Sequence, residues 1–129
     1  MKKQVKSWLD AAFEDLSVIE KIGNDELLTN MIAFHAQQSI EKTLKAILES
    51  LDEPVPKTHN LIVLREKAKN YQKFELDKDI IAQINELYIE SRYPSDIGLL
   101  PEGKPSLEKA MEFYRLAFEF YTKIKNGLS

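Results

Sequence analysis

An all-α bundle is the fold this sequence predicts, on three observations. Apolar residues recur at spacings of three and four along most of the chain, and no segment shows the strict alternation of a strand. Glycine is scarce, four residues in all. The five prolines fall in two clusters, Pro54–Pro56 and Pro94–Pro101–Pro105, which mark two breaks between helices. The expected architecture is an antiparallel up-and-down bundle of four long helices with one or two shorter ones, forming one domain over residues 1–129. A chain of this length can bury a core without disulfide or metal staples.

The first helix is predicted over 3–22, where Val5, Trp8, Leu9, Ala12, Leu16 and Ile19 share one face. Asp15 lies at the edge of that face, a position where an acid usually caps, pairs or bonds inside the fold. Gly23-Asn24-Asp25 ends this helix and can cap the next, expected over 25–51. The second helix has a core stripe of Ala33, Gln37, Ile40, Leu44, Ile47, Leu48 and Leu51. A second stripe, Leu28, Met31, His35, Gln38, Lys42 and Lys45, begins apolar and turns polar, as a surface facing a partner or a ligand would.

After a linker through residue 57, Thr58 is a good N-cap for a third helix over 59–71, carrying Leu61, Leu64, Ala68 and Tyr71. A fourth is expected over 77–91, with Ile80, Ile81, Ile84, Leu87 and Tyr88. Residues 92–105 show no helical period, and an irregular stretch of that length in a bundle is often functional. Ser106 caps the last helix, over 107–127. Its expected face is Leu107, Ala110, Met111, Tyr114, Ala117, Phe118 and Tyr121, yet Phe113, Leu116 and Phe120 make the other side apolar too. A helix apolar on both sides is either central in its bundle or covered by another subunit.

Composition narrows the function. The absence of cysteine removes disulfides, zinc–thiolate centres and thiol nucleophiles, and it suits a reducing compartment. The basic start is interrupted by Asp10, Glu14 and Asp15, so no secretory leader is read there, and no stretch approaches a membrane span. The expected location is the cytoplasm. A net charge of −3 argues against a general nucleic-acid surface, and no DNA partner is expected, although a local anion site stays open. Two histidines 24 positions apart make no metal site, and no cofactor fingerprint occurs.

Three segments carry candidate binding residues. Helical spacing sets His35, Gln38 and Lys42 on one face, able to offer hydrogen bonds and a positive charge to a phosphate or base; the alternative is a solvated helix face with Gln37 bonded to a neighbour. His59, within Thr58-His59-Asn60-Leu61, sits at a helix start, where free N–H groups favour anions; the alternative is a capped start with a surface histidine. Arg92, followed by Tyr93, can clamp a phosphate or pair with Asp15 or Glu41 inside the bundle.

Taken together, Trp8-x-x-Ala11-Ala12-x-x-Asp15-Leu16, His35-Ala36-Gln37-Gln38-x-x-Glu41-Lys42-x-Leu44-Lys45-Ala46, Pro56-x-Thr58-His59-Asn60-Leu61 and Tyr88-x-x-x-Arg92-Tyr93-Pro94 resemble the HEPN family, in the family's order. The resemblance implies a helical bundle that forms a homodimer. It also implies a partner, a minimal nucleotidyltransferase, with the helical protein on the toxin side of a toxin–antitoxin pair, or a nucleotide-binding role. The family's metal-independent ribonucleases carry an Arg followed four to six residues later by a His. Here Arg65, Arg92 and Arg115 all follow His35 and His59, so that motif is absent.

The expectation is therefore a non-catalytic module that binds a nucleotide, an RNA phosphate or a nucleotidyltransferase partner through His35, Gln38, Lys42, His59, Arg92 and Tyr93. The alternatives are a divergent metal-independent ribonuclease, which would have to recruit Arg92 with His59 or His35 from different helices, and a dimerisation scaffold whose polar residues are all structural.

Overall fold

The computed structural model describes residues 1–92 and 104–128, with the side chains of 89–92 outside that description. Five α-helices follow in order: α1 (Lys3–Ile22), α2 (Thr29–Ser50), α3 (Leu61–Lys69), α4 (Lys78–Arg92) and α5 (Leu107–Leu128), with a 3₁₀ turn at Glu26–Leu28 before α2. No strand occurs among the described residues.

The contacts define the topology. Trp8 reaches Glu49 and Asp15 reaches Lys42, so α1 and α2 run antiparallel. The Tyr114 hydroxyl donates to Glu20, and Tyr121 meets Phe13, so α5 runs antiparallel to α1 on its other side. The backbone N–H of Leu61 bonds Asn85 while Arg65 bonds the Leu76 carbonyl, which folds α4 back along α3. Phe34 near the start of α2 stacks on Tyr88 near the end of α4.

The core is aliphatic with few aromatics: Leu9, Leu16, Ile32, Ile40, Leu44, Ile47, Leu61, Ile81, Ile84 and Phe113 are all sealed from solvent. α2 is the central element, packed against α1, α3, α4 and α5. Burial extends round most of its circumference and includes Thr29, Gln37, Ser39, Glu41, Thr43 and Lys45. The central place, one of the two expected for the last helix, is taken by α2. On α5 the buried face is Ala110, Phe113, Ala117, Phe120, Tyr121 and Ile124, rotated from the expected one, and Phe118 stands on the rim. Aromatics on both sides left the α5 period without a clear choice, and contact with α2 makes it.

Capping differs from expectation in two places. Asn60, not Thr58, caps α3, accepting from the N–H groups of Ile62 and Val63; Thr58 accepts from the Asn60 N–H one step earlier. Ser106 caps α5 as expected, whereas Asp25 caps the 3₁₀ turn and not α2, which begins at Thr29 with no side-chain cap. Gly23 closes α1 at a positive φ of 66°, and Asp52 beyond α2 takes a positive φ of 57°. No helix of the described residues is long and apolar enough to cross a membrane.

Candidate functional site

The candidate residues of α2 stand on two adjoining rows. Residues 35, 38 and 42 form one, and residues 37, 41 and 45, spaced four apart, form the other. α1 supplies an acid to the first row and the start of α3 supplies a histidine to the second.

In the first row, Asp15 is the hub. Its carboxylate is nearly buried, with a side chain 9% exposed, and it accepts from Nδ1 of His35 at 2.8 Å and from Nζ of Lys42 at 2.7 Å. A carboxylate can only accept, so the Nδ1 of His35 carries the hydrogen. In the second row, Glu41 is the hub, with a side chain 4% exposed. One of its oxygens accepts from Nδ1 of His59 at 2.9 Å and from Nε2 of Gln37 at 3.3 Å; the other accepts from Nζ of Lys45 at 3.0 Å. The same Gln37 amide nitrogen donates to the His59 carbonyl at 2.8 Å, and its oxygen accepts from Nε2 of Gln38 at 2.6 Å. Gln38 therefore links the two rows.

The two imidazoles flank an aromatic pair. His35 meets Phe34 edge-on at 5.1 Å, Phe34 stacks on Tyr88 at 5.8 Å, and Tyr88 meets His59 at 5.7 Å. The His59 side chain is 52% exposed and His35 18%. Each ring is tethered at Nδ1 to a carboxylate, and among the described residues neither Nε2 has a partner. Behind this face, Lys45 lies 5.5 Å over the Trp8 ring.

His35, Gln38, Lys42 and His59 are therefore brought to one side of the bundle, and both histidines reach the Phe34–Tyr88 pair. Arg92 is the last residue of α4, one turn beyond Tyr88. Its side chain, Tyr93 and the expected irregular stretch up to residue 103 lie outside the described residues. Sequence reasoning placed Asp15 as a structural acid and Glu41 as one choice of partner for Arg92. It did not find that each holds a histidine. The signal was present for Glu41, since Gln37, Glu41 and Lys45 follow each other at intervals of four on one helix.

A cleft of about 430 Å³ lies away from this cluster, between the α3–α4 connection and α5, with Arg65, Leu76, Glu119 and Phe120 in its walls. The histidine face matters for its convergent polar groups and not for its depth. Among the described residues no three His, Asp or Glu side chains gather as a metal site requires.

Comparison with known proteins gives one consistent answer. A family model described as HEPN domain matches residues 5–126. The crystal structure of ST0689, an archaeal HEPN homologue, superposes with a TM-score of 0.70 at 22% identity, covering 100% of both chains. No curated protein matches the sequence.

Proposed function

The chain belongs to the HEPN domain family, and on that footing we propose that it is a non-catalytic binding module. The face built from α2 and the start of α3 takes the phosphate of a nucleotide or of RNA. His35, Gln38, Lys42 and His59 line it, and the reading includes Arg92 and Tyr93, whose side chains lie outside the described residues. The observation that carries this reading is the half-exposed His59 ring, fixed from behind by buried Glu41 while its Nε2 has no partner among the described residues. A ring held in place before the ligand arrives loses little freedom on binding. The acidic net charge favours a small ligand or a protein partner over long RNA.

Two further parts of the reading follow from the family. The chain forms a homodimer, for which the partly exposed Phe13 and Phe118 on neighbouring α1 and α5 offer an apolar surface. Its protein partner is a minimal nucleotidyltransferase, with this chain on the toxin side.

One observation favours the ribonuclease alternative. A histidine whose Nδ1 is held by a buried carboxylate is also the arrangement of a general base. RNA cleavage by the purified protein, with chelator present, decides between them, alongside His59→Ala and Arg92→Ala. The binding reading expects no cleavage and a measurable nucleotide titration. Cleavage that disappears in either variant would make the chain a ribonuclease with a rearranged site. If neither cleavage nor binding is found, the polar face is structural and the dimerisation scaffold stands.

A further inference from the structure

We propose that phosphate binding at the α2–α3 face is coupled to the uptake of one proton by His59, with Glu41 and Gln37 as its positioning residues. This rests on reading the face as a phosphate-binding one.

The argument is one of charge. The two ammonium groups near the site are already matched. Lys42 is paired with Asp15 at 2.7 Å and Lys45 with Glu41 at 3.0 Å, so these four groups cancel. Lys45 is itself nearly buried, and Lys42 keeps part of its charge on Asp15, so both offer an anion less than a free ammonium would. The groups left to change the charge of the face are the imidazoles. A neutral His59 with its hydrogen on Nδ1, where Glu41 requires it, presents a lone pair at Nε2, which repels a phosphate oxygen. Protonated at both nitrogens, the ring keeps its bond to Glu41 and gains an outward N–H donor and a positive charge. The anion therefore selects the imidazolium. His59 is the better placed of the two rings, being half exposed, whereas His35 is largely covered and shares Asp15 with Lys42.

The neighbours of the ring fit this role. Facing His59 are Glu41 from α2, with Lys45 behind it, and Tyr88 from α4; Lys57 lies two positions earlier in the chain. Glu41 also receives hydrogen bonds from Gln37 and Lys45, which fix the side chain that faces the ring. Gln37 also grips the His59 carbonyl, so the backbone is held by Gln37 and the ring by Glu41, which Gln37 in turn bonds.

The test is calorimetric titration of the full chain in buffers of different ionisation enthalpy, between about pH 5.5 and 8, where histidine changes charge. A cyclic mononucleotide and a dinucleoside monophosphate of ribose, without a terminal phosphate, serve as probes. Each carries one phosphodiester charge throughout, so any proton taken up goes to the protein. Uptake approaching one proton, with affinity falling about tenfold per pH unit above the histidine transition, supports the proposal. Comparison of the two probes tells a nucleotide ligand from an RNA one. His59→Gln should abolish the uptake, and Glu41→Gln should reduce it. Nitrogen NMR of the His59 ring in the wild-type chain provides a second readout that depends on no variant: the free neutral ring should carry its hydrogen on Nδ1. Binding without proton uptake, uptake that survives in His59→Gln, or a neutral ring protonated on Nε2 would overturn the proposal while leaving the binding reading in place. No binding at any pH would overturn both.

Discussion

Gln37 is wholly buried and bonds Gln38, Glu41 and the His59 backbone at once. Replacing it by leucine keeps the volume but strands the His59 carbonyl and removes one donor from Glu41. Gln37→Leu should destabilise the fold by about 1–3 kcal/mol, the usual penalty for orphaned buried polar groups, and urea unfolding will measure it. Tyr114 offers a second check. Burial, and then its bond to Glu20, raise its phenol above the ordinary value of 10.0. A group raised in the folded state stabilises fully below the unfolded value and loses that contribution as pH climbs through the folded one. Stability should therefore fall above pH 10.0 with a slope that flattens in Tyr114→Phe, followed by thermal melts across the alkaline range. At this scale the sequence was partly legible. The row of His35, Gln38 and Lys42 is readable from helical spacing alone. The carboxylates that hold the two histidines are not, because Asp15 sits 20 positions from His35 and Glu41 18 from His59, and only packing brings them together.

Among the elements, α1 follows its sequence pattern closest, since its apolar face is single and unambiguous. The start of α3 was harder to place. Thr58 and Asn60 are both suitable caps by residue type, and the backbone geometry that decides between them is not written in composition. Asn60→Ala should cost about 1 kcal/mol, more than Thr58→Ala, which removes a bond only to the N–H of residue 60. The end of α2 carries its own test. Asp52 occupies a left-handed conformation at φ 57°, where the chain turns out of the helix. Asp52→Gly should be tolerated, whereas the β-branched Asp52→Val should cost about 1–2 kcal/mol. Both sets of variants are read from denaturant midpoints at unchanged slope.

The whole molecule was legible as a helical bundle but not as one wrapped round α2. The polar residues on that helix's outer rows disguised a segment buried on nearly every side, since burial there is satisfied by pairing and not by hydrophobicity. The apolar surplus on α5 pointed either to a central helix or to a subunit contact, and the centre is taken by α2. What remains of that surplus, Phe118 on α5, is assigned to self-association together with Phe13 of α1, which meets Tyr121. Phe118→Glu should leave the helical content unchanged while shifting the sedimentation of the proposed dimer to that of a monomer; unchanged sedimentation would place the subunit contact elsewhere. The enclosure of α2 has one more consequence, in time and not in space. Its middle amides can meet solvent deuterium only when the helices around it come apart, so they should exchange last, at the rate of global opening. The segment bearing His59, tied to α2 by side-chain bonds to Gln37 and Glu41, should exchange far sooner, and a bound phosphate should slow that segment first.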